Sequence, residues 1–300
     1  MLRAARNDEA RARPRVVYFY LAIIVVSWAV NWPLMKLALA DAPPLDFVLL
    51  RLVGTLALLA PIMLARRTPL LPEKGERLGL FWVGQLQIAG FLICSIVGLS
   101  ILPAGRAIVL AYTMALWAIP IELVLEPGRL GRAQLAGAAV GFAGLFLFMN
   151  PALVDWRDPR VLAGNAALVG AAICWAGGSV LYRRRAWRSG FWAQTWWQLA
   201  VSAVAVAAIA LPVGLGRAVH WTPALVAILA YNWVVTTALG YFLWNKVLSV
   251  LSAGVAGQVM ALTPVGGFLL ATALFGGAVT ADVVLSIALI VGGIMLTLRG

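Results

Sequence analysis

Trp28, Asn31, Trp32 and Met35 fall at helical spacing along one face of an apolar run. None of these side chains performs covalent chemistry by itself. Their chemistry is recognition: indoles favour flat or apolar solutes, and an amide both donates and accepts hydrogen bonds. Comparable stripes recur in other apolar runs. They comprise Gln87, Phe91 and Ser95; Thr113 and Trp117, with Pro120 beyond them; and Trp175, Ser179 and Tyr182. Trp233, Thr237, Tyr241 and Trp244, followed by Asn245, form another, and Gln258 precedes Thr263-Pro264. Lys36 adds a cation one turn from the end of its run.

Each stripe has a plainer reading beside the functional one. Asn31 fits interhelical glue as well as a cavity wall. Lys36 either snorkels to an interface or meets a substrate carboxylate. Arg51 fits a structural role with a partner such as Asp46. Gly137-xxx-Gly141 and Gly292-Gly293 read as close helix contacts with no ligand. Glu122 and Glu126 lie at the end of a run, where interfacial solvation suffices, and no acid sits at mid-run to couple protons. No nucleophilic triad or Gly-rich phosphate loop is visible. His220 alone, with the isolated thiols of Cys94 and Cys174, makes no metal or haem ligand set. The expectation is a non-enzyme with no cofactor and no metal.

These residues need elements that hold polar groups inside a hydrophobic environment. Of the 300 residues, 63% are apolar and 11% charged, against roughly 25% charged in a soluble domain. Ten apolar runs each approach the roughly 20 residues that cross a bilayer. They cover roughly 16–39, 45–65, 79–100, 103–125, 131–149, 162–182, 191–212, 222–245, 252–273 and 279–298. The first run is too long for a signal-peptide core and reads as a retained helix. The net charge of +12 sits in short clusters between runs, which argues against nucleic acid. Of the 23 lysines and arginines, Lys36 and Arg51 fall well inside runs. Arg106, Arg157, Arg160 and Arg217 fall in loops or at a run's start on one side, and the rest gather on the side of the N-terminus. The positive-inside rule then puts both termini in the cytoplasm of a bacterial-type inner membrane.

Two halves repeat. Ser27-Trp28-Ala29 matches Cys174-Trp175-Ala176 at an offset of 147 residues. Ala104-Gly105 matches Ala253-Gly254, and Gly144 matches Gly293, both at 149. Five spans per half is odd, so the second half inserts upside down, a design that places a solute site near the midplane. The expected fold is all-α and integral to the membrane, with ten transmembrane helices as two inverted five-helix repeats around a central cavity. Its parts are a basic N-terminal segment at 1–15, a first repeat at 16–149, a connecting loop at 150–161 and a second repeat at 162–300.

Ten spans in two halves, Trp-Ala in the first and sixth, and glycine-bearing fifth and tenth spans resemble the drug/metabolite transporter superfamily in its EamA branch. Trp28, the segment from Ala107-Ile108 to Leu116-Trp117, Trp175, and Tyr241 with Trp244-Asn245 look like the YddG-type exporters of aromatic amino acids. The family's acidic residue near the fifth span corresponds to Glu126, with Phe275 at the equivalent place in the second half. Ala118 and Lys246 depart from the YddG pattern. The resemblance implies a helical basket whose first, third, fourth, sixth, eighth and ninth spans surround the cavity. It also implies export of amino acids or related metabolites by alternating access. In that reading Trp28, Phe91, Trp117, Trp175, Tyr241 and Trp244 form stacking walls. Asn31, Gln87, Asn245 and Gln258 hydrogen-bond the solute, Thr113 and Ser179 line the path, and Lys36 pairs a carboxylate. A drug, nucleotide-sugar or sugar-phosphate carrier is the nearest rival; a channel or intramembrane enzyme is a rival of another class. The partners expected are a small-molecule substrate and the lipid bilayer.

Overall fold

Proline and capping oxygens set the helix boundaries. Asp158 accepts the Arg160 N–H at 2.8 Å, and Pro159 opens the helix behind it. Thr222 does the same for Leu225 at 3.1 Å, ahead of Pro223. Each cap satisfies a donor left over at a helix start, and proline there loses no hydrogen bond. The computed structural model describes residues 14–125, 131–149, 157–214, 218–251, 262–276 and 279–297, together with positions 256 and 260. Its helices are α1 (Pro14–Ala38), α2 (Pro44–Ala65), α3 (Arg77–Ile101), α4 (Ala104–Ala111), α5 (Met114–Leu125) and α6 (Arg132–Met149). They continue as α7 (Pro159–Arg183), α8 (Phe191–Gly214), α9 (Pro223–Val250), α10 (Leu262–Phe275) and α11 (Ala281–Thr297). No strand occurs among the described residues.

Six helices are long and apolar enough to cross a bilayer, and four shorter apolar helices accompany them. Phe19, Val26 and Val204 are 64%, 65% and 71% exposed, whereas Gln87, Thr113, Gln198, Asn232 and Asn245 are fully buried. Apolar outside and polar inside is the arrangement lipid demands.

The run 103–125 is not one helix. It breaks at Tyr112-Thr113, where the Thr113 hydroxyl donates to the Leu110 carbonyl at 2.6 Å and the Thr113 N–H turns to the same oxygen at 3.2 Å. A threonine bonding back to its own chain competes with the helical ladder. A second irregularity was not foreseen. Both α3 and α9 widen into π-helix, over Gln85–Gly90 and Asn232–Leu239. These segments start 147 residues apart, the offset of Trp28 and Trp175, and the second is eight residues long against six. The two extra residues account for the step in the repeat offset from 147 to 149.

Helix pairing crosses between the two halves of the chain. α3 packs on α7 and α1 on α9; α2 meets α8 and the π segment of α9; α4 meets α10. α6 and α11 form a pair of their own. There a Cβ on Gly293 would stand 2.6 Å from the Gly137 carbonyl and 2.6 Å from the Gly141 Cα. Hydrogen in place of a side chain is what lets these backbones touch. Cys94 and Cys174 both lie at the α3–α7 contact, the Cys94 sulfur 3.8 Å from where a Gly170 Cβ would be. The Cys174 sulfur lies 2.9 Å from where a Gly90 Cβ would be.

Gly293→Leu forces α11 off α6. Overpacking of this kind costs about 1–3 kcal/mol, so the detergent-solubilised variant is expected to melt several degrees lower by size-exclusion thermostability. An unchanged melting temperature would show that the two backbones do not meet.

Candidate functional site

Rings from the stripes on α1, α3, α7 and α9 converge on one cluster. Trp175 from α7 makes a T-shaped contact with Trp28 from α1, centroids 5.2 Å apart, and meets Phe91 from α3 at 4.8 Å. Tyr241 and Trp244 from α9 stand 5.9 and 5.6 Å from Trp175, and both stand 6.1 Å from Trp28. Edge-to-face geometry of this kind is what ring quadrupoles favour.

The position of Trp28 follows from local backbone chemistry. A π turn misaligns the hydrogen-bond ladder and leaves a carbonyl available to a neighbour. In α9 that carbonyl is Thr236, which accepts the Trp28 indole N–H at 3.1 Å. Gly240 makes the approach possible, since its Cβ would lie 2.7 Å from the indole nitrogen. In α3 the carbonyl of Gly84, which immediately precedes the π segment, accepts the Ser202 hydroxyl at 2.9 Å.

Beside the rings lies a narrow cavity that opens to one side. Trp28, Phe91, Trp175 and Tyr241 form its aromatic wall. Asn31, Trp32, Met35, Arg51, Leu92 and Tyr112 complete the lining. Asn31 is buried, and its side-chain oxygen has no hydrogen-bond partner. Arg51, read from sequence as structural beside Asp46, instead reaches the cavity and donates through Nε to Thr237 Oγ1 at 2.6 Å. The signal for it was present: a lone cation interrupting an apolar run is costly unless it serves something.

Other candidates sit elsewhere. Gln87 donates to Ser179 at 2.8 Å, and Gly178 allows the approach. This pair joins α3 to α7 and does not line the cavity. Asn245 donates to Thr195 at 3.1 Å and to Gln198 at 3.4 Å, in a polar cluster between α8 and α9. Trp244 belongs to the ring cluster behind the lining. Thr113 serves the break after α4. Trp117 packs edge-on against Phe142 of α6 at 5.1 Å, away from the other rings. Gln258, like Glu126, lies outside the described residues. Among the described residues no three His, Cys, Asp or Glu side chains group to hold a metal.

Lys36 does not face the cavity either. Its ammonium donates to the carbonyls of Leu99 and Leu102 at 2.6 and 3.0 Å, closing the end of α3. Arg183, 147 residues later, donates to Leu248 and Leu251 at 3.1 and 2.5 Å and closes the end of α9. A cation at a helix C-terminus satisfies orphan carbonyls and meets the negative end of the macrodipole. The paired geometry explains Lys36 without a ligand.

A profile of the EamA-like transporter family matches residues 15–150 and again 162–299. The chain belongs to the EamA-like transporter family. Over 94% of its length this EamA-like chain is 24% identical to a Bacillus subtilis protein described as an uncharacterized transporter, YoaV, of which it covers 97%. It is 27% identical to a Salmonella typhimurium protein described as a probable amino-acid metabolite efflux pump, with 94% of each chain covered. A solved crystal structure shares its fold, with a TM-score of 0.64 at 21% identity over 92% of this chain and 95% of the other. The protein is a multi-pass membrane transporter of the drug/metabolite transporter superfamily and not an enzyme.

Lys36→Met removes two charge-assisted hydrogen bonds at a partly buried site, each worth about 1.5–3 kcal/mol at most. A lower melting temperature with an unchanged KM for transported solute is expected. A raised KM with unchanged melting would return Lys36 to the solute path.

Proposed function

We propose that this transporter exports amino acids and related metabolites, aromatic ones among them, by alternating access. The observation that carries the reading is the meeting of five rings from α1, α3, α7 and α9 beside a cavity that also holds a buried amide and a guanidinium. Flat side chains pair with such a wall, and the polar groups suit an amino acid's main chain. The Salmonella relative's description as an amino-acid metabolite efflux pump supports the same solute class.

The scaffold proposed is ten spans in two inverted repeats, at 16–149 and 162–300, with both termini cytoplasmic. Three observations support it. The family profile matches twice. The π segments and the capping cations fall at equivalent places in the two halves. Exchanging first-half helices for their second-half equivalents turns the α3–α7 contact into the α9–α1 contact and maps the α2–α8 and α6–α11 contacts onto themselves. In this frame α4 and α5 together make the fourth span, and rocking of the halves opens the cavity first inward, then outward. A sugar-phosphate carrier fits less well, because phosphate recognition calls for more than one cation and Arg51 stands alone in the lining among the described residues.

Counterflow of labelled tryptophan in proteoliposomes tests the reading. Saturable counterflow is expected, and its absence for every amino acid would remove the amino-acid assignment. From sequence, Trp117 and Trp175 are equivalent wall residues; their positions now separate them. Trp175→Ala is expected to lower counterflow by about tenfold or more, since it strips four ring contacts each worth about 0.5–1.5 kcal/mol. Trp117→Ala, with one ring contact, should change it less than threefold. Equal losses in two variants of equal monodispersity would place the solute outside this cluster.

A further inference from the structure

Arg51 is 4% exposed, yet its partners among the described residues carry no charge. Its Nε donates to Thr237 Oγ1 and its Nη1 lies 3.6 Å from the Met35 sulfur, both neutral partners. Among the described residues no carboxylate pairs with it; Asp46, one turn away at the start of α2, does not. A guanidinium carries five N–H donors and stays charged. The donors left over belong to a side chain that lines the cavity. Asn31 lines the same space, and its buried oxygen has no partner.

Packing does not account for this residue. A methionine or leucine would fill the volume without the desolvation penalty that a buried, unpaired cation incurs. A guanidinium fork held at Nε presents its outer edge, which matches the two oxygens of a carboxylate. The contact with Thr237 fixes that edge from the π segment of α9, so a ligand on it would join α2, α9 and the ring wall.

We propose that Arg51 binds the carboxylate of the transported solute, and that the solute class is a monocarboxylate with an apolar or aromatic body. α-Amino acids belong to that class, with Asn31 accepting from the ammonium. A single cation, with no second one in the lining among the described residues, matches one negative charge better than a phosphate dianion. The inference rests on reading the cavity as the solute site and goes beyond the amino-acid assignment, because it makes the carboxylate the required group.

Three solutes sharing one ring system separate the groups: tryptophan, indole-3-propionate, which lacks the ammonium, and tryptamine, which lacks the carboxylate. Each is tested as a competitor of tryptophan counterflow and by ligand-induced thermostabilisation of the purified protein, which needs no transport. Tryptophan and indole-3-propionate are expected to bind, with tryptamine weaker by about tenfold or more. Arg51→Gln should weaken both carboxylates by about 10- to 100-fold, the worth of a charged hydrogen bond, and leave tryptamine unchanged. Arg51→Lys should keep part of the preference. If Arg51→Gln does not fold, the Lys variant and the parent protein's competitor series carry the test. Tryptamine equal to tryptophan in the parent protein, an equal loss for all three solutes in Arg51→Gln, or no carboxylate binding at all would each overturn the proposal. If indole-3-propionate binds through Arg51 and tryptophan does not, the amino-acid reading fails and this one stands. If tryptophan is carried and tryptamine competes equally, the reverse holds.

Discussion

A polar group inside a bilayer has no water to turn to, so each carbonyl, amide and cation needs a partner within the protein or a wet cavity. Much of this structure follows from that constraint. The two π segments set carbonyls out of register, and the side chains of Trp28 and Ser202 take up Thr236 and Gly84. The ends of α3 and α9 carry orphan carbonyls, and Lys36 and Arg183 close them. Meeting the constraint also fixes geometry. Trp28 is where it is because a carbonyl needed its N–H and Gly240 left room. The ring cluster then assembles around Trp28 and Trp175.

The groups that the protein leaves without partners are as informative as those it satisfies. Asn31 keeps an unpartnered oxygen, Arg51 keeps donors and has no counter-ion among the described residues, and both lie at the cavity. Trp244 and Trp117 also hold indole nitrogens with no partner, though neither lines the cavity. An unsatisfied group in a closed core is pure cost. The same group at a solute path is cost recovered each time a solute arrives, and that is how a carrier obtains selectivity without a permanently filled site.

Legibility in the sequence followed the physics of each signal. Apolar length and helical spacing are local quantities, so an all-helical membrane protein and the convergence of Trp28, Phe91, Trp175 and Tyr241 could be read from the chain. The Gly137, Gly141 and Gly293 contact was legible because only one kind of packing calls for such spacing. Lys36 and Arg51 were not separable by type or depth. Which of them meets a carbonyl and which a cavity depends on helices 63 or more residues away in the chain. The placement of Trp117 was hidden for the same reason: the break at Tyr112-Thr113 comes before it and α6 receives its ring. The π segments had a trace in the sequence, the step from 147 to 149 in the repeat offset, which an insertion into one helix would leave.

The repeat bears finally on why the cavity is built as it is. Trp28 and Trp175, the caps, the π segments and the α6–α11 contact have counterparts in the other half, so the helical frame is close to symmetric, although Phe91, Tyr241 and Trp244 fall opposite Gly240, Leu92 and Ser95. The polar lining is not. At the shared offset of 147, Asn31 corresponds to Gly178 and Arg51 to Gln198, and Gln198, whose oxygen accepts from Asn245, does not line the cavity. A solute with a carboxylate at one end and a ring at the other has no twofold axis, so a symmetric lining would offer it two half-matched poses. Concentrating the charge and the free amide in the first half, against a ring wall shared by both, selects one pose. In the proposed mechanism symmetry serves the motion of the halves, and its loss in the lining serves recognition.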